Sequence, residues 1–83
     1  MNDTLRKELR DIGGSKNARM FIDEHAVGVF SIAYTDVRPA DSKSMLSKLG
    51  EFMYAHAGLD VVGYRALRYD VISETVYIQI KTM

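Results

Sequence analysis

Leu5, Leu9 and Ile12 recur at i, i+4 and i+7 among arginine, lysine, glutamate and aspartate, which puts the three apolar side chains on one stripe of an α-helix from Asp3 to Ile12. Asn2 or Asp3 can cap its start, and Gly13 with Gly14 can end it, because glycine accepts the left-handed backbone of a helix stop. A helix of about ten residues is marginal in isolation, so this stripe must dock on something.

From Ala18 to Thr35 the pattern divides. Met20, Phe21 and Ile22 followed by His25 and Ala26 could continue as a second helix, capped by Ser15 and stopped at Gly28. Period-two alternation favours a hairpin instead. Met20 and Ile22 alternate with Arg19, Phe21 and Asp23, and Phe30, Ile32 and Tyr34 alternate with Ser31, Ala33 and Thr35, on either side of a polar Asp23-Glu24-His25 tip.

Asp36 to Asp41 holds the only proline, Pro39, and reads as a connection leading to an Asp41 or Ser42 helix cap. Met45, Leu46, Leu49, Phe52, Met53, His56 and Ala57 then keep helical spacing for about three turns. Gly58 suits the left-handed position after the helix, with Leu59 able to fold back on the last turn. Gly50 sits inside the helix at a cost of about 1 kcal/mol relative to alanine; it either lets the sheet approach closely or is merely tolerated. Val61 to Val71 and Thr75 to Thr82 make a second hairpin about Ile72-Ser73-Glu74. In its last strand Val76, Ile78 and Ile80 face one way and Tyr77, Gln79 and Lys81 the other. The partner strand changes parity between Val62-Tyr64-Ala66 and Arg65-Leu67-Tyr69, which points to a bulge at Gly63 or Tyr69 and leaves its register open.

The resulting order, α-β-β-α-β-β over residues 1–83, predicts a single small α+β domain. Its physical solution is a four-stranded, largely antiparallel sheet with two helices packed on one face. The two halves share only amphipathic patterning, which does not establish a duplication. The second face of the sheet is left either to solvent or to a partner.

Composition narrows the function classes. With 83 residues, 47% hydrophobic and 27% charged, the chain is globular in composition. No apolar run, Ala26 to Phe30 being typical, approaches the roughly 20 residues that cross a bilayer, and Met1 to Ile12 lacks the apolar core of a secretory signal. The expected setting is the cytoplasm, with no membrane partner. There are no cysteines, which removes disulfides, thiolate nucleophiles and cysteine-ligated zinc together. Eleven Lys+Arg against eleven Asp+Glu give zero formal net charge with the signs interspersed. This is the balance of neither a general nucleic-acid binder nor an acidic mimic, and it weakens the repulsion that would oppose a homodimer.

No residue set commits the chain to catalysis, a metal or a cofactor. His25 beside Asp23 and Glu24 reads as a solvated turn, because consecutive strand side chains diverge. His56, on the apolar side of the long helix, reads as a partly buried structural histidine. Gly13-Gly14-Ser15-Lys16 lacks phosphate-loop spacing and follows a helix instead of a strand. None of the serines at 15, 31, 42, 44, 47 and 73 has a nucleophile-elbow pattern or a histidine placed locally as a base. The most informative group is Arg65, Arg68, Tyr69, Tyr77, Gln79 and Lys81 on the second hairpin, since arginine and tyrosine dominate binding hot spots. The plainer reading of the same residues is a solvated face with aromatics paired across strands.

The expectation is therefore a non-enzymatic interaction module, of the kind found among small bacterial or phage regulators and inhibitors, docking on another protein through an open sheet face or strand edge. The competing expectation is a nucleic-acid binder in which Tyr69 and Tyr77 stack on bases while Arg65, Arg68 and Lys81 hold phosphates.

Overall fold

The N-terminal leucine stripe forms a helix, α1, over Asp3–Gly14 in the computed structural model, which covers residues 1–83. Asn2 caps it, its Oδ1 accepting from the Leu5 amide at 2.8 Å. Leu5 and Leu9 are fully buried. Gly13 does more than stop the helix. A methyl group there would stand 2.7 and 2.9 Å from carbons of the Tyr34 ring, so the missing side chain is what lets α1 lie against the sheet. The Tyr34 hydroxyl in turn donates to the Leu9 carbonyl at 2.7 Å, in a contact wholly shielded from water. Burial pushes this phenol far above its ordinary range, which keeps it a donor.

The hairpin reading of Ala18 to Thr35 is correct. Strand β1 spans Arg19–Ala26 and β2 spans Val29–Thr35, paired antiparallel. The turn lies further along than the polar tip suggested. Asp23 and Glu24 remain in the ladder, and the chain reverses at Val27-Gly28, where Gly28 takes a φ of 76° and its amide binds Glu24 Oε2 at 3.1 Å. Glycine meets that φ at no steric cost, and a Cβ there would press to 3.0 Å on the Thr82 carbonyl. His25 falls in a register shift between Glu24 and Ala26.

Helix α2 spans Pro39–His56 and begins before the predicted Asp41 or Ser42 cap. Proline's fixed φ is already helical and its missing N–H is one of the unpaired first-turn donors, so Pro39 starts the helix; Ser42 instead donates to the Pro39 carbonyl at 2.8 Å. Met45, Leu49, Phe52 and Met53 are buried. Gly50 has open space where its side chain would be, so it is tolerated and serves no close approach. Gly58 takes the left-handed φ of 77° after the helix, but Leu59 stays exposed and does not fold back.

Strands β3 (Val61–Asp70) and β4 (Thr75–Thr82) complete one antiparallel sheet in the order β1-β2-β4-β3. The core gathers Phe30, Ile32 and Tyr34 of β2 and Val76, Ile78 and Ile80 of β4 beneath Leu5 and Leu9 of α1 and the buried row of α2. Both helices thus cover one face, and the architecture is α+β in the order α-β-β-α-β-β. No helix is long and apolar enough to cross a membrane.

Candidate functional site: the uncovered face of the sheet

Directly paired residues in adjacent strands point to the same side, so the register lays out the uncovered face in rows. One row runs Phe21, Ala33, Tyr77, Arg68 across β1, β2, β4 and β3. The next runs Asp23, Ser31, Gln79, Arg65, and the one beyond it Ala26, Val29, Lys81, Gly63. The Arg68 guanidinium lies over the Tyr77 ring, 4.4 Å from its centroid, and the Arg65 Nε–H donates to Gln79 Oε1. Phe21 is 56% exposed, while Tyr77, Gln79 and Ser31 are half-buried among their neighbours. Shallow depressions run across this surface. The largest, about 380 Å³, lies among Phe21, Asp23, Ser31, Ala33 and Tyr77, and another of about 310 Å³ lies among Val29, Gly63, Arg65, Gln79 and Lys81.

Of the six residues singled out from sequence, Arg65, Arg68, Tyr77, Gln79 and Lys81 meet on this face, and Tyr69 does not. The cause is a break in strand alternation. Between Arg65 and Arg68 the register shifts against β4, with Ala66 held at a left-handed φ of 59°, so residues three apart emerge on the same side. Tyr69 then pairs with the buried Val76 and turns to the helix side, where its hydroxyl donates to the Val37 carbonyl at 2.6 Å. Its phenol is raised above the ordinary value, by desolvation first and by Glu74 and Asp70 after it. The bulges sit at Val61/Gly63 and Arg65/Arg68, not at Tyr69.

The first hairpin supplies residues that the sequence reading did not assign to the site. Phe21, Asp23, Ser31 and Ala33 could have been found from the period-two pattern, being the positions that alternate with the core row. His25 could not, because the bulge that brings it over the face is invisible in the pattern. Its Nε2 lies 2.5 Å from Ser31 Oγ and its Nδ1 3.7 Å from Asp23 Oδ2. A histidine is therefore placed against a serine after all, in the order of groups that activates a nucleophile. The surroundings do not complete such a site. The Asp23 and His25 side chains are 77% and 50% exposed, and Ser31 lies on an inner strand paired on both sides, so its amides are not free to stabilise an oxyanion.

The second histidine belongs to a separate cluster. His56 Nε2 donates to Glu8 Oε2 at 2.7 Å and Nδ1 to Asp60 Oδ1 at 2.8 Å, tying α1, the end of α2 and the approach to β3 together. A ring donating from both nitrogens is an imidazolium. Hydrogen bonds to Glu8 and then Asp60 raise His56 above its ordinary value against a smaller opposing effect of burial, and the bond from His56 lowers Asp60. This cluster is a fastening between elements. No group of three or more His, Asp or Glu side chains is arranged to hold a metal ion.

No protein family, curated protein or solved structure matches the chain, so the geometry alone bears on function.

Proposed function

We propose that the chain is a small non-enzymatic interaction module that docks on another protein through the uncovered face of its sheet, acting in the cytoplasm as a regulator or inhibitor. The observation that carries this reading is the make-up of the face. Phe21 and Tyr77 bracket a shallow apolar depression at its centre, Arg65 and Arg68 are held by Gln79 and by the Tyr77 ring, and Lys81 lies alongside. Aromatic and arginine side chains pre-positioned in this way lose little freedom when a partner arrives, which is the property of hot-spot residues. The test compares wild type with Tyr77→Ala and Arg68→Ala in pull-downs from the native host after nuclease treatment. Both substitutions should weaken capture by roughly tenfold while far-UV circular dichroism stays unchanged. Undiminished capture by both variants would remove this surface from consideration.

Nucleic-acid binding is the second reading, supported by Arg65, Arg68 and Lys81 lying on the β3–β4 side of the face. Two details count against it. Tyr69 is turned to the helices, and the face of Tyr77 on which a base would stack is already occupied by Arg68. Three phosphate contacts would give an affinity falling about a hundredfold per decade of salt on a single strand. A salt-insensitive complex excludes them.

A further inference from the structure

The uncovered face is antisymmetric about the line between β2 and β4, the middle of the sheet. Positions related across that line carry opposite signs: Asp23 on β1 against Arg65 on β3, and Arg19 on β1 against Asp70 on β3. Small side chains lie on β2 and larger ones on β4, with Ala33 paired to Tyr77 and Ser31 to Gln79. A two-fold axis along that line, parallel to the strands, turns a second sheet over onto the first and exchanges β1 with β3 and β2 with β4. Asp23 then comes opposite Arg65 of the second copy, Ala33 opposite Tyr77, Ser31 opposite Gln79, and Phe21 opposite Arg68. In the outermost row Arg19 comes opposite Asp70. Each pairing occurs twice, as an isologous contact requires.

We infer that the occupant of this face is a second copy of the chain, joined sheet to sheet about a two-fold axis parallel to the strands, with Asp23 of each copy paired to Arg65 of the other. The inference rests on the reading of this face as a docking surface and names what covers it until another protein displaces it. The alternative two-fold, perpendicular to the strands, places β1 on β1 and β3 on β3 and so sets Asp23 near its own copy and the arginines near theirs; like charges exclude it. Facing sheets align to within about 30°, which displaces residues on the outer strands by about 4 Å, within the reach of an arginine side chain. Zero net charge leaves no long-range repulsion between copies. Four strands about 4.8 Å apart and seven residues long offer a face of roughly 19 by 23 Å, about 870 Å² over the two copies and below the roughly 1,200 Å² at which standard interfaces begin, so the dimer belongs to the weak, transient class.

The experiment is sedimentation equilibrium of wild type, Asp23→Arg, Arg65→Glu and an equimolar mixture of the two variants, over about 1 to 100 µM, with circular dichroism confirming each fold. Wild type should dimerise. Each variant alone faces two like-charge pairs and should dimerise at least roughly tenfold more weakly. The mixture should recover, because the arginine introduced at position 23 of one copy then meets the glutamate introduced at position 65 of the other, while the unchanged Asp23 meets the unchanged Arg65. Monomeric wild type across this range overturns the inference, as do variants that dimerise normally or a mixture that fails to recover. None of these outcomes touches the docking reading, which stands or falls on whether capture of a partner depends on Tyr77 and Arg68.

Discussion

The two faces of one sheet are built to different rules. On the covered face single side chains bind several elements together. Tyr34 fills the space left by Gly13 and also holds the Leu9 carbonyl, and its neighbours Ile32 and Val76 are inaccessible. On the uncovered face the polar and aromatic side chains satisfy one another in pairs, Arg65 with Gln79, Arg68 with Tyr77 and His25 with Ser31, and none of these pairs joins one layer to another. The covered face therefore supplies stability and the uncovered face can be altered without it. A small domain has little apolar surface to spare, so such a separation is what frees one side of it for recognition.

Four substitutions bear on that contrast, in descending order of expected effect. Phe52→Ala removes a core ring that also lies 4.5 Å from the His56 ring, and should cost about 3 to 5 kcal/mol in urea unfolding; a variant near wild-type stability would mean that α2 is packed through other residues. Gly13→Ala drives a methyl group into the Tyr34 ring and should cost about 1 to 3 kcal/mol, although alanine is the better helix former; stabilisation would show that α1 can shift freely on the sheet. Tyr77→Ala removes a half-buried ring together with its cation–π contact and should cost about 1 to 2 kcal/mol, well below Phe52→Ala, while impairing binding. If it destabilised as much as Phe52→Ala, the contrast between the faces would fail.

The smallest effect is a pH dependence, read with the fourth substitution, His56→Gln. His56 is raised from 6.5, so its contribution is complete below that pH and fades as pH rises through the raised value; Asp60 is lowered from 3.8, so its contribution is complete above that pH and fades as pH falls through the lowered value. The fastening is therefore strongest between about pH 4 and 6.5. Going from about pH 5.5 to 8.5, wild type should lose more stability than His56→Gln. Parallel pH profiles for the two proteins would show that Glu8 and Asp60 do not hold the ring as an imidazolium.

Most of the architecture was legible because burial writes itself into periodicity. Leu5 and Leu9, the alternation of Phe30, Ile32 and Tyr34 and that of Val76, Ile78 and Ile80 each named their element and its inward side. What escaped were places where the chain breaks period. Pro39 began a helix instead of preceding it, the hairpin reversed at Val27-Gly28 past a more polar stretch, and a shift near Ala66 returned Tyr69 to the core side. The site suffered more than the fold, since half of it comes from the first hairpin and His25 reaches it only through a bulge. Ser31 beside His25 is a contact across strands that no local spacing announces.

The irregularity at Ala66 has a meaning for how this surface can change. Removing one residue there would restore simple alternation with Arg65 and Arg68 two apart, so both would still face outward and Tyr64 would stay on the helix side. The ionic half of the surface depends on the irregularity because its two arginines are three apart, an odd spacing that regular pairing would split between the two sides. Straightening the strand at its full length would send one arginine to the helices, whereas shortening it by one position would keep both outward.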